Sequence, residues 1–191
     1  MSDELTALLS APSATVAPRL LGCRLVRRLG DTEVSGRIVE VEAYSQEDAA
    51  SHSYRGETER TRVMFGPPGR AYVYFTYGMH YCCNVVTGAR GFGSGVLIRA
   101  LEPLTGESVM SRNRHGLSGV TLTNGPAKLC QALGIDRRLN GHDLRTEPLR
   151  LMVEPPLGQT AIVQTTRVGI SRAQDVPWRF YIKHNPYVSK P

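Results

Sequence analysis

Ala71, Val73 and Phe75 alternate with Tyr72, Tyr74 and Thr76, the two-residue period of a strand with two unlike faces. The alternation predicts Ala71, Val73 and Phe75 on the core side and both tyrosines with Thr76 on the opposite side. Tyr77-Gly78 follows where a tight turn is due, and glycine supplies the positive φ such a turn needs. The run Tyr81-Cys82-Cys83-Asn84-Val85-Val86 then returns as a partner strand. Residues 70–86 therefore predict a β-hairpin with an aromatic ring at its tip. A bulky ring in that position stabilises no interior, so it reads as a wedge for something outside the protein.

Asp3 to Leu9 predicts a short helix, and after a Ser/Pro break Thr15 predicts the cap of a second, carrying Leu20 and Leu21 and stopped by Gly22. β-Branched residues and alternation predict strands over 23–29 and 34–44, joined by Gly30-Asp31. Residues 45–69 are polar, and a loop of that length inside a domain is usually functional or disordered. A strand over Gly95–Leu101 precedes a helix capped by Thr105 and closed by Arg112, Arg114 and His115 before Gly116, in keeping with the helix dipole. Asn124-Gly125-Pro126 opens a further helix ending near Gly134, and strands follow at 149–153, 161–166 and 179–183. Gly91, Gly93 and Gly95 lack the helix that completes a dinucleotide fingerprint and read as a flexible loop. With no repeat or linker, the elements predict one α+β domain over residues 1–191. It has a curved, mainly antiparallel β-sheet, flanking short helices and a protruding β-hairpin. Residues 1–18 form an N-terminal leader, helical or partly disordered.

A chain of 191 residues that is 41% hydrophobic can bury one proper core. Its formal net charge is +6, and only Lys128, Lys183 and Lys190 are lysines. Arginine suits bidentate contacts to phosphate and carboxylate. Scattered surface charge is the alternative, because a basic balance permits a nucleic-acid partner without demonstrating one. Cys23, Cys82, Cys83 and Cys130 form no C-x-x-C pair, which removes zinc-ligand spacing, and they read as reduced, buried thiols. An acidic start without a long apolar run predicts neither a secretory signal nor a membrane anchor, hence an intracellular protein.

Alternation through Arg37–Tyr44 sends Val39, Val41 and Ala43 to one face and Glu40, Glu42 and Tyr44 to the other. A carboxylate two residues from an aromatic could activate a water beside a flat substrate, or belong to an ordinary solvated face. Arg99 breaks the apolar run Gly95–Leu101 and shares a face with Leu97 and Leu101. A charge left unpaired there is costly, so a buried carboxylate or anion should meet it, and Glu42 is the natural candidate. His52 stands in the long polar loop as either a surface or a site residue. At Asn124–Lys128, free N–H groups and a lysine at a helix start could seat a phosphate or merely cap the helix.

The ordered set V-E-V-E-A-Y (39–44), loop His52, M-F-G-P-P-G-R-A-Y-V-Y-F-T-Y-G-M-H (64–80) and V-L-I-R-A-L-E-P-L (96–104) resembles the alkyladenine (3-methyladenine) DNA glycosylase family. The likeness continues through N-G-P-A-K-L-C-Q-A-L, R-V-G-I-S, W-R-F-Y-I-K and N-P-Y-V-S, from about Arg19 to Ser189. It implies a monofunctional hydrolase of base excision repair that removes alkylated purines, 3-methyladenine and 7-methylguanine, with no metal and no organic cofactor. Glu42 would be the general base for a water attacking the sugar C1′. Arg99 would hold that water and carboxylate, and a backbone carbonyl near Val168 would be a further water contact. Tyr44, His52 and Tyr74 would sandwich the extruded base, and Asn84 would disfavour the guanine 2-amino group. Tyr77 would enter the duplex in place of the flipped nucleotide. Gly78, Met79, His80 and Lys128 are expected at the DNA backbone. His80 departs from the family's Y-G-M-Y pattern, which bears on wedge support and on neutral lesions such as hypoxanthine or ethenoadenine.

The expected partner is double-stranded DNA with an extruded alkylated base. The protein is expected to be a monomer without membrane attachment, cytoplasmic and associated with the nucleoid through DNA. No lysine is placed to form a Schiff base, which argues for hydrolysis without strand cleavage. The alternative is a non-catalytic nucleic-acid-binding module using the same aromatic and arginine surface. A free-nucleoside hydrolase is a third reading, and it has no use for Tyr77.

Overall fold

The computed structural model describes residues 2–76 and 78–190, with strands β1 (Arg24–Leu29), β2 (Thr32–Ser45), β3 (Ala71–Thr76), β4 (His80–Val86), β5 (Ser94–Thr105), β6 (Leu149–Met152), β7 (Ile162–Thr165) and β8 (Arg179–Ile182). All pair antiparallel in one curled sheet of order β3-β4-β5-β2-β1-β6, with β8 also on β2 and β7 on β8. Short helices flank it, so the fold is α+β as predicted. The strand β2 is central because it is long enough to be shared. Its one edge runs along β5 from Ser35 to Ser45, and the other is taken by β1 as far as Arg37 and by β8 from Glu40 to Glu42.

Simple alternation fails where β2 meets β5. Ile38 pairs with Leu101 but Glu40 with Ala100, leaving Val39 as an extra residue on β2. Glu40 then pairs with Ala100 but Val41 with Ile98, leaving Arg99 as an extra residue on β5. Each bulge re-aims the side chains beyond it. Ile38, Val41 and Ala43 therefore share the core, and Leu101 joins Val96 and Ile98 there instead of facing with Leu97 and Arg99. The predicted face of Arg99 is right for Leu97 and wrong for Leu101.

Helices α1 (Ser2–Leu9) and α2 (Ser13–Leu20) bury Leu9, Val16, Ala17 and Leu20 against the sheet. The N-cap of α2 is Pro12, not Thr15, because proline's fixed φ of −56° already suits the entry. Thr105 likewise caps nothing: β5 runs on to it, its hydroxyl meets Ser35 Oγ at 2.8 Å, and α3 (Glu107–Asn113) starts from Gly106. Helix α4 (Pro126–Ala132) begins where expected, with proline in its first turn.

Strands β3 and β4 pair from Ala71 opposite Val85 to Thr76 opposite His80. Ala71 and Val73 reach the core, but Phe75 is 51% exposed, with the Tyr81 ring at 5.1 Å, because the pair outruns the core beneath it. The four cysteines are free and buried, and burial pushes the Cys83 thiol up to about 12. Among the described residues, no helix is long and apolar enough to cross a membrane.

The polar stretch after β2 is anchored. Gln46 Oε1 accepts from the Gly93 N–H at 3.0 Å, and Ser53 Oγ donates to the Gly93 carbonyl at 2.8 Å. Gly93 is therefore a packed residue and not part of a flexible loop. A Cβ there would come within 2.5 Å of Ser53 Cβ and 2.7 Å of the Phe65 ring. Gly93→Ala should destabilise by about 1–3 kcal/mol in urea denaturation. Gly158→Ala, whose Cβ would meet only Thr160 Oγ1 at 4.0 Å, should stay within about 0.5 kcal/mol of the parent.

Candidate active site

A cleft of about 610 Å³ opens on the face of the sheet opposite the main core. Its walls come from β2, β3, β4 and β5 and from the segments 49–55 and 168–172. The two-residue period of β2 brings Glu42 and Tyr44 into it together. Glu42 is wholly buried, and both of its oxygens have partners. Its Oε1 accepts from the Val168 N–H at 2.7 Å and lies 3.2 Å from Arg99 Nη1, while its Oε2 accepts from Tyr44 Oη at 2.7 Å. Burial first, and then the Glu42 charge, push the Tyr44 phenol well above its ordinary value, so it stays protonated and donates.

Arg99 meets the predicted partner and a second one. Its Nε donates to Glu40 Oε1 at 2.9 Å and its Nη2 to Ser189 Oγ at 3.3 Å. Glu40 also accepts from Arg179 Nε at 2.7 Å and from the Ser189 N–H at 2.6 Å. Burial works to raise the Glu40 carboxyl, but Arg99, the Ser189 bonds and Arg179 outweigh it and hold it below its ordinary value. For Arg99, burial disfavours the charge while Glu42 and Glu40 restore it, and the balance favours the cation.

The aromatic wall is continuous. His52 stands edge-on to Tyr74 at 4.6 Å, Tyr74 lies 5.4 Å from Tyr72, and His52 Nδ1 is 3.1 Å from Tyr72 Oη. Burial, helped by the Arg60 charge, lowers His52 and favours its neutral ring. Asn84, opposite Tyr72 across β3 and β4, donates Nδ2 to the Tyr72 carbonyl at 3.2 Å and lines the same cleft. The structure thus brings Glu42, Tyr44, His52, Tyr74, Asn84, Arg99 and Val168 to one cavity. Val168 meets Glu42 through its N–H.

Other predicted residues lie elsewhere. Lys128 donates Nζ to Asn124 Oδ1 at 2.7 Å and does not line the cleft, although neighbouring Pro126 does. Gly78, with φ +69°, and the exposed Met79 lie between β3 and β4, and the half-buried His80 opens β4, all outside the cavity. The wedge assignment falls on Tyr77, which lies outside the described residues.

Several residues escaped the sequence reading. Arg55 and Arg172 line the cleft. Arg167, fully buried, donates to both oxygens of Asp48, to the Ala43 carbonyl at 3.0 Å and to the Ala173 carbonyl at 3.3 Å. Its guanidinium also lies 4.8 Å from the Tyr44 ring centre and 5.5 Å from that of Trp178. One ion pair therefore ties both cleft-lining segments to the end of β2.

Fold and cleft together define an α+β protein with a buried carboxylate–arginine pair set in an aromatic-walled cavity. The model of the methylpurine-DNA glycosylase family matches residues 7–186, and the chain belongs to that family. It is thereby a DNA glycosylase, a hydrolase of DNA repair. A protein of Carboxydothermus hydrogenoformans is 55% identical over 176 residues, covering 92% of each chain. One of Methanoculleus marisnigri is 55% identical over 181 residues (93% of this chain, 94% of its own), and one of Nitrosospira multiformis 48% over 183 (95% and 91%). All three bear the name "Putative 3-methyladenine DNA glycosylase".

Asp48→Ala would strand the Arg167 charge without a carboxylate. It should cost about 3–5 kcal/mol in urea denaturation, well above the cost of an exposed pair such as Arg138–Asp136.

Proposed function

We propose that the protein removes 3-methyladenine, and more slowly 7-methylguanine, from duplex DNA. It flips the nucleotide into the cleft and hydrolyses the N-glycosidic bond without cutting the strand. The observation that carries this reading is the Glu42 carboxylate, held at three points inside an aromatic cleft. Oε1 meets the Val168 N–H and the Arg99 guanidinium, whereas among the described residues Oε2 meets the Tyr44 hydroxyl alone, so Oε2 keeps a lone pair for a water. That water's oxygen bonds to C1′ and its proton passes to Glu42. The glycosidic electron pair leaves with the purine, discharging the positive charge that alkylation placed on it. Arg99 keeps the carboxylate in place throughout.

A glycosidic bond inside a duplex is out of reach, so the base must be extruded at a cost of a few kcal/mol. A cleft of about 610 Å³ has room for it. Tyr44, His52 and Tyr74 supply ring contacts, each contributing about 1 kcal/mol, and a neutral His52 does not repel a cationic purine. Asn84, fixed by its bond to Tyr72, crowds a guanine 2-amino group, which slows 7-methylguanine. Tyr77 fills the gap left in the duplex. Gly78, Met79, His80 and Lys128 meet the backbone, so affinity falls with salt. The protein acts as a monomer at the nucleoid.

Glu42→Gln should keep its affinity for alkylated duplex while the rate of base release falls about a hundredfold or more. Release at the parental rate would remove Glu42 from the chemistry, and absence of release by the parent would leave a binding module. Tyr77→Ala should slow release from duplex far more than from a single strand, where there is no stack to replace.

A further inference from the structure

Glu40 sits two residues before Glu42 on the same face of β2, yet it does not line the cleft. It is wholly buried and collects four hydrogen bonds, from Arg99 Nε, Arg179 Nε and the N–H and hydroxyl of Ser189, at 2.6 to 2.9 Å. A cluster of two carboxylates and two arginines is not needed for stability, since apolar replacements of buried ion pairs are often neutral or stabilising. Its effect on Arg99 is more specific. A guanidinium offered one carboxylate takes it with a two-pronged fork. Here the Nε side is committed to Glu40 and Nη2 to Ser189 Oγ, and Nη1 is the nitrogen nearest Glu42, 3.2 Å from its Oε1. The bulge that frees Arg99 from strand pairing allows this sideways stance.

We infer that Glu40, with Arg179 and Ser189, is a positioning device: it holds Arg99 edge-on so that one nitrogen steadies Glu42 and the carboxylate stays available to take a proton from water. The inference rests on the hydrolytic reading of Glu42. Without Glu40, the fork turns onto Glu42, grips it more tightly and makes it a poorer base.

Single-turnover base release from alkylated duplex, followed against pH, tests this with the parent, Glu40→Gln, Ser189→Ala and Ser189→Thr. The charged and titratable groups facing Glu42 are Tyr44 from β2, Tyr74 from β3, Cys82 from β4, Arg99 from β5 and Arg167 after β7. Burial raises the tyrosines and Cys82, away from the acid side, and lowers His52. In Glu40→Gln the acid limb should move to lower pH and the plateau fall about tenfold to a hundredfold, with duplex affinity unchanged. Ser189→Ala should shift the limb the same way by less, and Ser189→Thr should restore it. Should Glu40→Gln not fold, Ser189→Ala decides alone. An acid limb that stays put while the parent releases base overturns the positioning role, whether the rate falls or not. A parent that releases no base at any pH overturns the hydrolytic reading itself.

Discussion

A carboxylate removed from water must find compensating charge and donors, and the structure satisfies that demand twice within three residues of one strand. Glu40 and Glu42 are both wholly buried on β2, and Arg99 and Arg179 arrive from the strands on its two sides. Four charges cancel inside the protein, and the geometry of the cleft follows from how they share hydrogen bonds. A strand flanked by only one neighbour could not have brought both arginines to it.

Part of the cleft wall around this centre, the segments 49–55 and 168–172, is chain without regular structure. Its rigidity comes from a few well-placed polar contacts. Arg167 and Asp48 hold the two lining segments to each other and to the end of β2, and the Gly93 backbone donates to the Gln46 side chain and accepts from that of Ser53. Tyr44 is fixed from both directions, by the Arg167 guanidinium over its ring and by the Glu42 carboxylate at its hydroxyl. Such sites are precise because each ring and charge has a partner that fixes its rotamer.

Much of this was legible along the chain, and what was not has physical reasons. An arginine in an apolar strand demands a carboxylate, and that demand found Glu42. The tyrosine alternation found the cleft-facing side of β3, because side-chain period is a local property. The two bulges were invisible, since they arise from register between strands far apart in sequence, and so Leu101 was placed on the wrong face. Phe75 obeyed the alternation and still emerged exposed, because alternation gives a direction and says nothing about where the core ends. Thr15 and Thr105 carry the right chemistry for caps, but Pro12 and Gly106 supplied the backbone angles first. Asp48 and Arg167 gave no local signal, as their meaning lies in a partner 119 residues away.

The bonds from Ser189 to Glu40 and from Val168 to Glu42 span 149 and 126 residues of chain. Closing loops of that size is entropically slow, and such contacts form late in folding. The surroundings of the Glu42 carboxylate are thus completed by the same event that brings the two ends of the fold together. A nascent or half-folded chain has the acid but neither its amide donor nor its arginine frame, so competence toward the genome arrives only with the finished molecule.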